Sequence, residues 1–192
     1  MMSLTLEMRS ADLRLGEAEF YRLCQANRDL RLELTAEGNL VIMPPTGWET
    51  GRRNSELNRR VGNWAATDGT GLVFDSSTGF ELPNGATRSP DVSWVRKDRV
   101  EALSPDPSKF LPLCPDFVIE LRSASDALST LQDKMQEYLA NGLRLGWLIN
   151  PPGRTVEVYR ADRAVETVPF STAMTGESLL PGLAIDLTEI FQ

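Results

Sequence analysis

Residues 115–122, Pro115-Asp116-Phe117-Val118-Ile119-Glu120-Leu121-Arg122, contain a short apolar run between charged residues. A run of about four to eight residues rich in β-branched and aromatic side chains predicts a buried strand, because a buried helix needs a longer run. The run ends on the carboxylate of Glu120, which must be solvated, paired or metal-bound. The segment therefore predicts a central strand with an acidic group at its end.

The elements around this strand alternate between helix and strand. Ser123 to Asp126 offer N-cap residues, and Asn141-Gly142 is typical of a helix C-terminus, so a helix is predicted between them. The other predicted elements are helices over 16–29 and 48–67, a hairpin over 30–43, strands over 72–82, 90–95, 145–149 and 155–159, one or two helical turns over 97–103, and a short strand with a helical turn over 181–192. This order predicts an α/β (α+β) fold, a mixed β-sheet flanked by helices, in a single domain over 1–192.

The composition excludes several kinds of chemistry. The chain has no histidine, which removes Ser-His-Asp and Cys-His hydrolases, HExxH metalloproteases, HNH-type nucleases and His-ligated zinc sites. Its two cysteines, Cys24 and Cys114, form no CxxC pair and are typical of free thiols in a reducing cytoplasm. Carboxylates holding a hard cation such as Mg²⁺ fit the residues that remain.

Charge and hydropathy limit the partners. The net charge of −7 argues against a protein that coats DNA non-specifically, since such binding depends on phosphate neutralisation. A nuclease is less affected, because a bound divalent ion offsets its acidic residues. No apolar run approaches the roughly 20 residues of a membrane span. We expect a cytoplasmic protein with no membrane partner.

Two strand-end acids are the candidate metal ligands. Asp91 follows Pro90 at the start of one predicted strand, and Glu120 ends another. If these strands are neighbours, both carboxylates can reach one cation, and the backbone carbonyl of Leu121 is a further oxygen ligand. Spacing alone leaves the ordinary alternatives open, in which Asp91 caps a turn and Glu120 emerges into water.

Four ordered blocks of sequence resemble a known family. The blocks are LRLELTAEGNLVIMPPTG (30–47), STGFELPNGATRSPDVSWV (77–95), CPDFVIELRSASD (114–126) and DKMQEYLANGLRLGWLINP (133–151). They are similar to the Uma-two-type family of restriction-endonuclease-like proteins, within the PD-(D/E)XK nuclease superfamily. The resemblance implies a restriction-endonuclease-like fold and a metal-dependent endonuclease acting on DNA with Mg²⁺ or Mn²⁺. It also implies that Asp91 is the motif aspartate and Glu120 the second acidic residue.

The chain departs from the superfamily pattern at the third motif position. The pattern has Lys two residues after the glutamate, and this chain has Arg122. Arginine is effectively always protonated and cannot act as a base. Family members have a lysine on the next helix before a tyrosine, which here is Lys134 before Tyr138. Lys134 is therefore the expected catalytic substitute, although a lysine at the edge of a buried stripe often only extends to solvent. Arg122 is expected to bind DNA.

The predicted helix over 48–67 carries further candidates. Glu49, Arg53, Glu56 and Arg60 follow one another at helical spacing, which indicates either a surface row of ion pairs or a source of one more site carboxylate. We expect Glu49 to join the catalytic residues, with Glu56 and Glu33 left open. Arg52, Arg53 and Arg59 belong to the densest basic cluster and are expected to contact DNA phosphates.

The sequence favours a metal-dependent endonuclease that hydrolyses phosphodiester bonds. One alternative is a catalytically inactive nuclease-fold module that binds DNA or protein. Another is a carboxylate-based metal hydrolase of small phosphoesters, which the lack of a Gly-rich phosphate loop disfavours. Restriction-type nucleases often dimerise to cut both strands, and a homodimer is left open.

Overall fold

A computed structural model describes residues 3–192 of the chain. Its α-helices are α1 (Glu17–Ala26), α2 (Trp48–Asp68), α3 (Lys97–Leu103) and α4 (Leu128–Ala140). Its strands are β1 (Leu4–Leu6), β2 (Arg31–Leu34), β3 (Leu40–Met43), β4 (Gly71–Asp75), β5 (Phe80–Glu81), β6 (Thr87–Arg88), β7 (Val92–Arg96), β8 (Phe117–Leu121), β9 (Leu145–Asn150), β10 (Thr155–Arg160), β11 (Arg163–Pro169), β12 (Met174–Gly176) and β13 (Leu180–Ile185). Short 3-10 helices cover Arg9–Ala11 and Pro151–Gly153. Among these residues, no helix combines the length and apolar content needed to cross a bilayer.

The central sheet has six strands in the order β11-β10-β9-β8-β7-β4. Strands β8 and β9 are parallel, and the other neighbours are antiparallel, so the predicted mixed sheet is confirmed. The connection between β8 and β9 is α4, as a parallel pair requires a crossover. The helices α2 and α4 cover the two faces of this sheet.

Alternate residues of β8 enter different cores, because successive side chains of a strand point to opposite faces. Phe117 and Ile119 pack with Leu57 and Val61 of α2 in one cluster. Val118 packs in a second cluster with residues of α4, including Met135 and Tyr138. Glu120 belongs to the face of Val118 and is directed towards α4.

A second sheet was not expected from the sequence. Strands β1, β3, β2, β6 and β5 form it in that order, and α1 packs against it through Phe20. The single strand predicted over 72–82 is wrong, because the chain turns after β4. Asp75 accepts hydrogen bonds from the backbone and hydroxyl of Ser77, and this turn sends β5 into the second sheet. The two sheets enclose a cleft between them.

Candidate active site

Strand pairing brings Asp91 and Glu120 together. β7 and β8 are antiparallel neighbours, with Val92 opposite Ile119 as the last pair of the ladder. One position further along the same register, Asp91 lies opposite Glu120. Directly opposite side chains share a face, with Cβ atoms about 4.5–5.5 Å apart in regular pairs. The two acids, 29 positions apart in sequence, therefore meet at the edge of the cleft, which both of them line.

Asp91 is held by neutral donors. Its Oδ2 accepts a hydrogen bond from the backbone N–H of Leu121 at 2.9 Å, and its Oδ1 accepts one from Asn54 Nδ2 at 3.0 Å. The amide of Asn58 donates to the Asp91 carbonyl at 2.9 Å. Burial raises the pKa of the Asp91 carboxyl, and the hydrogen bond from Leu121 opposes that rise only in part. The two asparagines were missed in the sequence, where their spacing of four beside the buried stripe of α2 was the available signal.

Glu120 is buried, and both of its side-chain contacts lead to α4. Its Oε1 forms an ion pair with Lys134 Nζ at 2.9 Å and accepts a hydrogen bond from the Tyr138 hydroxyl at 3.1 Å. Its Oε2 accepts no hydrogen bond from the described residues 3–192. Burial raises the pKa of Glu120 to about 7, with Lys134 opposing the rise and Asp91 adding to it. Glu120 therefore has one fixed oxygen and one uncommitted oxygen.

Lys134 bridges two carboxylates inside the cleft. Its Nζ donates to Glu33 Oε1 at 2.8 Å and pairs with Glu120 at 2.9 Å. Burial lowers the pKa of Lys134, but the charges of Glu120 and Glu33 outweigh burial and raise it above the ordinary value. A lysine with a raised pKa stays protonated at neutral pH. The geometry thus favours a fixed positive charge over the general base considered from the sequence.

Glu33 lies at the centre of the ionic network and is almost completely buried. Besides Lys134, it accepts hydrogen bonds from the Ser89 backbone N–H at 2.9 Å and from Arg88 Nη1 at 3.2 Å. Arg88 also pairs with Glu137 of α4 through its Nε. Burial raises the pKa of Glu33, but Lys134 and Arg88 together outweigh this and lower it. Of the three early carboxylates considered, Glu33 is the one that joins the site.

The other two early carboxylates lie on the outer surface of α2. Glu49 pairs with Arg53 at 2.8 Å, and Glu56 pairs with Arg59 at 2.6 Å and with Arg60 at 2.9 Å. Neither glutamate lines the cleft; Thr50 and Asn54 of α2 do. The expectation that Glu49 joins the catalytic residues is therefore not supported, because its side of the helix faces away from the β7–β8 edge.

The arginines expected to bind DNA also lie outside the cleft. Arg52 donates to the carbonyl of Ile190 at 3.0 Å, and the guanidinium of Arg53 stacks over the Phe191 ring at 4.8 Å from its centre. These two side chains attach α2 to the C-terminal segment. Arg59, paired with Glu56, remains exposed on the surface. The cleft instead contains Arg31 and Arg88.

Arg122 does not point into the cleft, although it follows Glu120 by two residues. The strand ends at Leu121, and the backbone then turns. The Nε of Arg122 donates to the carbonyl of Asp126, and its Nη1 donates to Asn150 Oδ1, both at 3.0 Å. Arg122 therefore fixes the loop between β8 and α4 to β9, and Lys134 alone of the two reaches Glu120.

The cleft has a volume of about 440 Å³. Among its charged side chains, the acidic ones outnumber the basic ones, which are Arg31, Arg88 and Lys134. Within residues 3–192, no group of three or more acidic or thiol side chains forms a ready metal cluster. The neighbouring carboxylates of Asp91 and Glu120, with the free Oε2 of Glu120, nevertheless fit a hard divalent cation that completes its shell with carbonyl oxygen and water.

The comparisons with known proteins agree with this fold. A family model described as "Putative restriction endonuclease" matches residues 17–188. The structure is similar to the crystal structure of a "putative nuclease belonging to DUF820" from Anabaena variabilis, with a TM-score of 0.72. The two chains are 18% identical, and the match covers 83% of this chain and 89% of the other. No curated protein sequence matches the chain.

The extent of the family match settles the resemblance seen in the four sequence blocks. It runs from the start of α1 to beyond β13 and includes Asp91, Glu120 and Lys134. The structural similarity independently supports a nuclease-like fold. The chain therefore belongs to the Uma2 family, the Uma-two-type family of restriction-endonuclease-like proteins.

Proposed function

We propose that this protein is a metal-dependent endonuclease that hydrolyses phosphodiester bonds in DNA, with Mg²⁺ or Mn²⁺ as cofactor. The observation that carries the proposal is the placement of Asp91 and Glu120 at the ends of neighbouring strands, beside the buried cation Lys134. Family membership supports the assignment to the nucleases. The neighbouring carboxylates of Asp91 and Glu120 support the binding of a divalent metal ion.

In this proposal, the residues of the site have three roles, which are metal binding, charge stabilisation and positioning. Asp91, Glu120 and the backbone carbonyl of Leu121 would hold the divalent cation. When bound, that cation would neutralise negative charge that develops on the phosphate during hydrolysis. Lys134 places a second positive charge at the same edge of the cleft and stabilises the same developing charge. Glu33 and Tyr138 hold Lys134 and Glu120 in position through the hydrogen bonds described above.

A plasmid-cleavage assay tests the proposal directly. The wild-type protein should convert supercoiled plasmid to nicked or linear DNA when Mg²⁺ or Mn²⁺ is present and not when EDTA is present. Asp91→Ala should abolish cleavage. The control Asp162→Asn changes an acid that is exposed between β10 and β11 and should cleave as the wild type does. Cleavage that survives in Asp91→Ala would exclude the proposed site.

The alternative is a nuclease-fold module without activity that binds DNA or protein. The observation that favours it is the pairing of Arg53, Arg59 and Arg60 with carboxylates on their own helix, which reduces the positive charge free for phosphates. Such a module gains no stability from a divalent ion. A Mg²⁺-dependent rise in melting temperature that Asp91→Asn removes would therefore favour the enzyme.

We also propose a cytoplasmic location, supported by the two thiols, which are not joined in a disulfide. A homodimer stays a prediction to be measured by the mass of the protein in solution.

A further inference from the structure

The strand β2 presents one polar face to the cleft. Arg31 and Glu33 line the cleft, as does Thr35 just after the strand, whereas Leu32 and Leu34 pack in the core beneath the second sheet. Arg31 therefore shares a face with Glu33, the acid that holds Lys134. Neither the sequence blocks nor the catalytic residues described above give Arg31 a role.

Arg31 differs from the other two cations of the cleft in its partners. Arg88 and Lys134 are each paired with two carboxylates, which compensate their charges. Arg31 forms no ion pair with any of residues 3–192. Its Nη2 donates to the carbonyl of Ser76 at 3.1 Å, and its Nε is buried without a hydrogen-bond partner. Arg31 therefore has donors without a carboxylate partner, although its charge is close enough to Asp91 to lower the pKa of that acid.

The contact with Ser76 places Arg31 near the proposed metal ligands. In the antiparallel pair of β4 and β7, Asp75 lies opposite Val92. Ser76 follows Asp75 and Asp91 precedes Val92, so both residues lie at the same end of this strand pair. The guanidinium of Arg31 is thus anchored at the end of the sheet where Asp91 and Glu120 meet.

We propose that Arg31 binds a phosphate group of the nucleic acid substrate beside the Asp91–Glu120 pair. This inference rests on the proposed function and assigns the phosphate-binding residue that the α2 arginines do not provide. A guanidinium presents several donors in a planar fork that matches phosphate oxygens, and Arg31 has donors without protein acceptors. Arg31 is the one basic side chain of this cleft without an ion-pair partner among residues 3–192, and it would direct the backbone of the substrate to the carboxylates.

The salt dependence of binding measures a phosphate contact directly. Each neutralised phosphate contributes about 0.9 to the slope of log affinity against log salt concentration for duplex DNA. Binding of a fluorescent duplex oligonucleotide would be measured with Ca²⁺ at a series of salt concentrations. Arg31→Gln removes the charge and retains a donor for Ser76, Arg31→Met removes both, and Arg31→Lys retains the charge. The matched control is Arg28→Met, which changes an exposed arginine outside the cleft.

We expect both neutral variants to bind at least about tenfold more weakly at low salt and to lose about 0.9 from the slope. Arg31→Lys should keep the slope, and Arg28→Met should match the wild type. Having two neutral variants allows the slope to be measured even if one of them does not fold. An unchanged slope in a folded neutral variant overturns the assignment while leaving the endonuclease proposal intact. A wild-type protein that binds no oligonucleotide overturns both.

Discussion

Replacement of Glu120 by glutamine tests whether burial raises the pKa of this carboxyl and so makes the stability of the protein depend on pH. Glu120 is 4% exposed, and its pKa is raised to about 7 by burial, whereas an ordinary glutamate ionises near 4.5. The folded state therefore binds a proton more tightly than the unfolded state. Stability from this group is present below about pH 4.5 and is lost as the pH rises through about 7.

The expected size follows from the two pKa values. One pKa unit corresponds to about 1.36 kcal/mol, so the difference between about 4.5 and about 7 corresponds to about 3 kcal/mol of unfolding free energy. Glutamine can still accept from Lys134 and Tyr138, but it does not titrate. Between pH 4 and pH 8, without metal, the wild type should lose about 3 kcal/mol more stability than Glu120→Gln does.

Urea unfolding of both proteins at pH 4 and pH 8 in EDTA measures this double difference. Using Glu120→Gln as the reference cancels the titration of all other groups that the substitution leaves unchanged. Adding Mg²⁺ at pH 8 should restore stability to the wild type, because the cation offsets the charge of the ionised Glu120 as a proton does at pH 4. Mg²⁺ should not restore stability to Glu120→Gln. A double difference near zero, or one of opposite sign, would show that Glu120 ionises as an exposed acid does.

Three further predictions, two of them with a matched control variant, test other parts of the site and fold. Lys134→Ala should lower the single-turnover cleavage rate by at least about a hundredfold, because it removes a positive charge beside the phosphate. Its control, Arg122→Ala, should mainly lower the melting temperature, because the contacts of Arg122 are within the protein. Tyr138→Phe should weaken Mn²⁺ binding measured by calorimetry, since Glu120 loses one of the donors that fix its Oε1. Tyr159→Phe should leave Mn²⁺ binding unchanged, because the hydroxyl of Tyr159 donates to Glu157 and not to Glu120. Glu81→Gln should raise the melting temperature at pH 8 more than at pH 4.5, because burial and the neighbouring Glu17 raise the pKa of Glu81 to about 7; an equal rise at both pH values would contradict this.

The parts of the fold with a strong apolar pattern were predictable. The segment around β8, α4 and β9 was predicted correctly, because each element buries a continuous set of side chains. Strand β11 was missed, since six of its seven residues are exposed and Val168 is the one that packs against the core. The break between β4 and β5 was missed because it depends on side-chain hydrogen bonds of Asp75, which hydrophobic periodicity does not register.

In the site, too, the sequence of one element predicts its faces, but the packing of the elements decides which side chains meet. The alternation of Arg31 and Glu33 with leucines indicates a strand with two different faces, and Glu33 was left open as a site carboxylate because alternation does not show what the polar face contacts. In the folded protein that face meets the edge of the other sheet, so Glu33 becomes a partner of Lys134. The helical position of Glu49 likewise gave no information about which side of α2 faces Asp91. Only the packing of α2 determined that Asn54 takes that place.

The charges in the site explain why a divalent cation suits it. The acids that meet around the β7–β8 edge are Glu33, Asp91, Glu120 and Glu137, and the cations in ion pairs with them are Arg88 and Lys134. Arg31 forms no ion pair with them, but its charge lowers the pKa of Asp91. With every acid ionised, two negative charges lack a paired cation. Burial is the main reason that the pKa values of Asp91 and Glu120 are raised, because both carboxylates lose contact with water. A bound ion of charge +2 would offset the negative charge of these same two carboxylates. The raised pKa values and the proposed affinity for Mg²⁺ thus share one cause, which is the burial of two neighbouring acids.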